Sequence, residues 1–385
     1  MKAPAGSVLR LAPRRLDPRR LVPRRLVLAL LPLLAVAVGG CGGPQSILGT
    51  DNPAGERIES LWWVSVLSTG ILAAVVIVVL LVAARRALVA GRGASARGAS
   101  APGASARGGA GDVPVPDDAW ETKFLLVVGG ALPALFLVGF LVFSVRTGTA
   151  VTDAPGEPGL TVEVVGHKFW WEVRYPDQGI VTANEIRIPA GVSVEVLVSA
   201  ADVIHSFWVP ALTPGKIDMV PGRTNVIRMW ADNPGVYRGQ CTEFCGTQHA
   251  LMSMEVVAVP PDEFDAWAES RRLPPLLPDD DEARRGIGVF MATGCAACHA
   301  VEGLTHPGAA GSPGPDLTDV AGRRSLGALA LENSTANLLE WIRDPHQFKP
   351  GVRMPPTPLP ESDLRALVRF LEGLEWEGLE REGLE

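Results

Sequence analysis

Residues 239–252 read Gly-Gln-Cys-Thr-Glu-Phe-Cys-Gly-Thr-Gln-His-Ala-Leu-Met. Cys241, Glu243, Cys245, His249 and Met252 fall within twelve residues of this stretch. Thiolate, imidazole and thioether are soft or borderline donors, a set that suits copper better than calcium or magnesium. A disulfide between Cys241 and Cys245 is the plainer alternative, but it explains neither His249 nor Met252. Zinc is another, although it does not favour thioether sulfur. A second imidazole must come from elsewhere, and His167, His205, His299, His306 and His346 are available. A histidine among apolar neighbours is more often a core residue than a ligand. His205 is nonetheless favoured: it lies in Asp-Val-Ile-His-Ser-Phe-Trp, at the end of an apolar strand, with the donor-rich loop following 36 residues later. His167 precedes an aromatic strand and has no such companion.

A second constellation is Cys295-Ala-Ala-Cys298-His299, the pattern of c-type haem attachment. Its spacing lets two thiols reach the two vinyl groups while the next histidine turns onto the iron. A redox dithiol or half of a zinc site, completed by His306 and His346, is the alternative. Gly314-Pro315-Asp316-Leu317 favours haem by offering a proline carbonyl to orient His299. Met354-Pro355 then follows a turn-rich stretch, placed to give the sixth ligand. A Met/His pair raises the potential and closes both axial positions, which suits electron transfer and not oxygen binding. Met291 is the rival, but it lies only four residues before Cys295 and reads better as packing on the haem edge. No residue is assigned a catalytic role.

Positioning these residues takes several kinds of element, which the composition separates. The 385 residues suffice for two or more domains. Five cysteines, in two close pairs and one outlier (Cys41), suggest two ligand or attachment sites and one special thiol, not a disulfide framework. Residues 1–40 are basic and end in an apolar run, Leu26 to Val38, then Gly39-Gly40-Cys41. That is the layout of a lipoprotein-type signal peptide, with Cys41 as the lipidated first residue. Its net charge is +7, so removing it from a chain of −7 leaves −14. An acidic body argues against nucleic acid and fits a basic protein partner.

Leu61–Ala84 and Phe124–Val145 are nearly unbroken apolar runs. The first, 24 residues, spans about 36 Å as a helix, enough to cross a bilayer. Trp62 and Trp63 fit an interfacial belt, and Pro133 is tolerable inside a membrane helix. A transmembrane hairpin is expected over 58–146, with a cytoplasmic Arg/Gly/Ala/Ser loop at 85–123 whose basic residues set the orientation. Everything after Arg146 is then on the outer face of a plasma membrane. From Leu160 the pattern becomes short strands: 161–165, 169–175, 185–188, 193–198, 224–230 and 253–259. An all-β domain over 158–260 follows, then a linker at 261–281 with a short helix around Glu263–Arg271. A helical domain over 282–375 and an acidic tail at 376–385 complete the chain.

His205 with the 239–252 stretch resembles subunit II of the haem-copper cytochrome c oxidases, and the appended haem domain resembles the caa-type members. The resemblance covers nearly the whole mature chain. It implies a multi-domain membrane protein: two-helix hairpin, cupredoxin-like Greek-key β domain, and all-α class I cytochrome c domain. It also implies a binuclear copper A site in which Cys241 and Cys245 bridge both coppers, His205, His249 and Met252 complete them, and Glu243 gives its backbone carbonyl. The Glu243 side chain would reach a magnesium shared with subunit I. Cys295 and Cys298 would hold haem c, with His299 and Met354 on its iron. Subunits I and III, and an upstream cytochrome c or cytochrome bc complex, are the implied partners. Oxygen reduction and proton pumping would lie in subunit I. Lys216–Arg223 also resembles a family segment and is assigned no chemistry. Two positions depart from the pattern. Phe169 stands where stand-alone oxidases have the tryptophan that receives electrons, leaving Phe169, Trp170 and Trp171 as candidates for that role. Leu126 stands seven residues before Pro133 where many relatives have glutamate, with Glu121 further out. A nitrous oxide reductase would need a many-histidine copper cluster, which six histidines do not supply. A free membrane-anchored carrier would not need a hairpin.

Overall fold

The computed structural model describes residues 43, 45–50, 52–98, 119–152, 156–272, 275, 277–305 and 313–374. The leader with Cys41, the centre of the expected loop, His306 and the acidic tail lie outside them. Residues up to Ser46 form a unit of their own, of which a Gly43–Ser46 turn is described. Ile47–Glu385 form the second unit.

The first apolar run lies within helix α1, Pro53–Gly98. Asn52 caps it: its Oδ1 accepts from the Gly55 N–H at 2.6 Å, and Pro53 at the first helical position has no N–H to leave unpaired. The Asn52 Nδ2 meanwhile donates to the Ala211 carbonyl of the β domain at 2.7 Å, so one buried side chain starts the helix and ties it down. The helix extends past Ala84 into the segment read as loop, where Ala, Arg and Leu sustain it. The second run forms α2 (Ala119–Phe124), a π-helical stretch (Leu125–Ala131) and α3 (Leu132–Thr152). Pro133 explains the π stretch. Proline removes one ladder bond and crowds the carbonyl four residues back; widening the preceding turn, with Leu132 N–H bonded to the Val127 carbonyl, relieves both. The two rods pack together and expose apolar side chains along their lengths. Both are long and apolar enough to cross a membrane.

The β domain has ten strands: β1 Leu160–His167, β2 Trp170–Tyr175, β3 Ile180–Ala183, β4 Glu185–Pro189, β5 Val194–Ala200, β6 His205–Phe207, β7 Ile217–Met219, β8 Asn225–Met229, β9 Gly235–Gln240 and β10 Ser253–Val259. Five form one sheet, β3-β2-β1-β5-β8; three form another, β4-β10-β9; β6 and β7 pair separately. β1 runs parallel to β5 and β4 to β10. Alternate residues point inward, as a strand's period of two requires: Leu160, Val162 and Val164 on β1, Val194, Val196 and Val198 on β5, Ile186 and Ile188 on β4.

The linker begins as helix α4, Pro261–Ser270, where a helix was expected. It packs on the β domain through Phe264 and Trp267, whose rings lie 6.4 and 5.2 Å from that of Tyr175. The connection beyond it is therefore only residues 271–280. The last domain holds α5 (Asp281–Ala292, capped by Asp280), the two-residue strands β11 (Ser325–Leu326) and β12 (Leu331–Glu332), α6 (Thr335–Arg343, capped by Ser334) and α7 (Glu361–Glu372). α5 and α7 pack along each other, with Phe290 and Phe370 edge to face at 5.7 Å.

Candidate metal and haem centres

β9 and β10 are antiparallel neighbours with Gln240 opposite Ser253, so Cys241–Met252 is the loop that joins them. The Cys241 N–H donates to the Met252 carbonyl at 2.9 Å and closes the loop's base. His205 opens β6; it does not end a strand, as the sequence suggests, because the apolar residues before it form a loop. Cys241 Sγ lies 3.9 Å from His205 Nδ1, 3.9 Å from Cys245 Sγ and 3.2 Å from the Glu243 carbonyl. Cys245 Sγ lies 3.8 Å from both His249 Nδ1 and Met252 Sδ. Both cysteines are free and buried, which removes the disulfide alternative. All six groups expected around copper thus converge, and the ligand atoms of His205, Cys241 and Cys245 lie within 4.8 Å of one another. Two sulfur anions, two imidazoles and a thioether fit copper. Close contact with Cys245, and with His205, pulls the Cys241 thiol down to about 3, while the same contact pushes Cys245 up. A metal binds these sulfurs as thiolates, so loading it would release whatever thiol proton the pair holds.

Asp202 was not anticipated. Its Oδ1 accepts from His205 Nε2 at 2.9 Å, which leaves Nδ1 for the loop. Burial opposes its charge, but hydrogen bonds from His205 and from the Lys168 and Val203 N–H groups hold it below the usual carboxylate range. Its place three residues before His205 was the available signal. The Glu243 carboxylate points outward and pairs with Lys216 at 3.4 Å. His167 is no ligand: it stacks on Trp170 at 4.3 Å and bonds Glu172 at 2.9 Å.

In the last domain Gly294 has φ +83°, and the turn Cys295–Ala297 follows. His299 Nδ1 donates to the Pro315 carbonyl at 2.8 Å, which aims Nε2 away from it. Burial lowers the pKa of this imidazole, favouring its neutral form. Gly314 is required here, because a Cβ would meet His299 Cε1 at 2.7 Å. Cys295, Cys298, His299 and Met354 line one cavity, closed by Phe290, Leu338 and Leu367. An apolar chamber with two thiols, a held imidazole and a thioether fits a covalent haem. Met291 is 49% exposed and outside that lining.

The β domain forms one wall of the same chamber, through Lys168, Phe169, Trp170 and Asn184. Of the three aromatic candidates, Phe169 and Trp170 face the chamber. Trp171 is fully buried against Phe207 and near His205, at ring distances of 6.3 and 6.2 Å. Ionic contacts hold the domains together. Asp319 bonds Thr182 of β3 at 3.1 Å and pairs with Arg271 at 3.4 Å, with Arg323 also against it. Arg324 pairs with Glu255 at 3.3 Å.

Fold and donor sets together define a membrane-anchored, cupredoxin-like electron-transfer domain fused to a c-type cytochrome. Residues 180–259 match the family model for the cytochrome c oxidase subunit II periplasmic domain, and residues 283–375 match that for cytochrome c. Cytochrome c oxidase subunit 2 of Alkalihalophilus pseudofirmus is 39% identical over 69% of this chain and 77% of its own length. That of Bacillus subtilis is 32% identical over 91% of this chain and 97% of its own. A crystal structure of the periplasmic domain of cytochrome oxidase subunit II from Bradyrhizobium japonicum, 32% identical, covers 30% of this chain and 96% of that domain at a TM-score of 0.29. The chain belongs to the cytochrome c oxidase subunit 2 family, in the form that carries a cytochrome c domain. It is a subunit of the oxidase complex, with subunit I as partner; the matched domains imply haem c and copper A.

Proposed function

We propose that the chain passes electrons from an external donor, through haem c and binuclear copper A, to haem a of subunit I, where oxygen reduction drives proton translocation. When bound, each of the two groups would supply a one-electron carrier. His205, Cys241, Cys245, His249, Met252 and the Glu243 carbonyl would hold the coppers. Cys295 and Cys298 would hold the haem, with His299 and Met354 on its iron. Asp202 keeps His205 in the tautomer that presents Nδ1, and the Pro315 carbonyl does the corresponding work for His299. The β scaffold fixes the copper donors before metal arrives, which keeps reorganisation small. The Glu243 carboxylate, turned away from the copper donors toward Lys216, would be the one offered to a magnesium at the subunit I border. Cys41 would anchor the mature chain by lipid, and both metal domains would stand on the outer face beside subunits I and III. A cytochrome c or a cytochrome bc complex would be the donor.

The observation that carries this reading is the convergence of six soft or carbonyl donors beside a chamber walled by both domains. Purification of the native complex tests it. Two coppers and one covalent haem per chain, recovered with a haem-copper subunit I, are expected. One copper per chain, or recovery without subunit I, would overturn it.

A further inference from the structure

Lys349 is a charged side chain that the function above leaves unused. It comes from the haem domain, five residues before Met354, and is 1% exposed. Among the described residues its ammonium meets no carboxylate: its acceptors there are the carbonyls of Gly327 at 2.8 Å, Leu251 at 3.0 Å and Phe169 at 3.2 Å. Gly327 belongs to its own domain; Leu251 and Phe169 belong to the β domain. Burying an ammonium is costly unless its donors are met, so a lysine placed here holds only while the two domains are together. Burial pushes its pKa down to about 8.

The neighbouring residues repeat the pattern. Gln248 Nε2 donates to the Pro350 carbonyl, and Arg353 pairs with Asp202 at 3.5 Å. Three of the four β-domain partners adjoin a proposed copper donor: Gln248 precedes His249, Leu251 precedes Met252, and Asp202 bonds His205. The segment that ends in Met354 is therefore stitched to the copper loop along its length. Phe169 lies at the seam. One face lines the haem chamber, and its ring edge abuts Gly246, where a Cβ would meet Cζ at 3.1 Å. Gly246 follows Cys245 directly and has φ +131°.

We propose that Lys349 is a positioning residue: it locks the Met354 segment of the haem domain onto the copper loop and so sets Phe169 between the haem chamber and Cys245. The inference rests on the function proposed above. It also accounts for the departure at residue 169: the ring is buried beneath a tethered haem domain and does not offer a free surface to a soluble donor.

Lys349→Met in the full chain removes the donor and leaves three carbonyls without it. Hydrogen exchange should quicken at residues 168–171 and 248–252 and stay unchanged in β1 and β5. With copper and haem content and spectra unaltered, the rate at which flash-reduced haem passes its electron to oxidised copper should fall at least ~10-fold. Lys349→Gln, which keeps two N–H donors, should fall between the two. Unchanged exchange in both variants would overturn the latch; quickened exchange with an unchanged rate would overturn its part in setting Phe169. The exchange result reads the latch whatever the cofactor load. A wild-type chain that lacks copper or haem refutes the proposed function instead.

Discussion

The copper loop and the haem chamber solve the same problem in opposite ways. The proposed copper donors come from two separate segments, β6 and the β9–β10 loop, yet they lie 3.2–3.9 Å apart along the chain of contacts, fixed by strand pairing and by Asp202. Little space remains for anything larger than metal ions. The haem domain has its attachment residues in one short run, but its core is a chamber among α5, α6 and α7 that only a large flat group would fill. One site is finished by the scaffold; the other is finished by its cofactor. Metal should therefore matter more to the function of the β domain than to its fold, and haem should matter to both in its domain.

The largest effect should break that contrast if it is mistaken. Cys295→Ser with Cys298→Ser, which prevents covalent attachment, should cost the haem domain most of its stability, about 5 kcal/mol. Calorimetry of the full chain should show that transition lost and the β-domain transition kept. Next comes the ionic seam. Asp319→Asn leaves Arg271 and Arg323 buried without their carboxylate and should weaken docking by about 3 kcal/mol, read as faster exchange in β3 and around residue 319. Burial would raise the Asp319 pKa, but Arg323 and Arg271 hold it below its ordinary 3.8. Its contribution is thus complete above that value and is lost as pH falls through the lower docked one. The Asp319 contribution to docking should be unchanged at pH 5 and should be lost only under stronger acid.

Gly314→Val should cost about 2 kcal/mol by overpacking and displace His299 from the Pro315 carbonyl, with loss of the six-coordinate haem spectrum. The smallest stability change should come from Cys245→Ser. Copper content should fall to near zero by elemental analysis, while the β domain unfolds within about 1 kcal/mol of wild type. A large loss there would show that the scaffold is not complete on its own.

The donors themselves were legible because their chemistry is dense in sequence: five lie within twelve residues and three within five. The β framework was legible only in part. β1, β2, β4, β5, β8 and β10 announce themselves by apolar alternation. β6 and β7 are three residues each, too short to show a period, and β9 is an edge strand with glycine at two positions and Val236 exposed. β9 nonetheless delivers Cys241. Asp202 and Lys349 escaped for another reason. Each acts through a partner remote in sequence, and a lone aspartate or lysine reads as solvated surface until the fold buries it. The length of α1 was underestimated because a basic Ala-rich stretch is apolar no longer yet still strongly helical.

Asn52 has a consequence of its own. A helix end and a loop of the β domain share one amide, so they share one bearing. The azimuth of the membrane helix then decides which way Phe244, 78% exposed beside the copper donors, is turned about the membrane normal. The compass heading of the copper loop is thus set at the first turn of the hairpin, before any residue of the β domain has entered the chain.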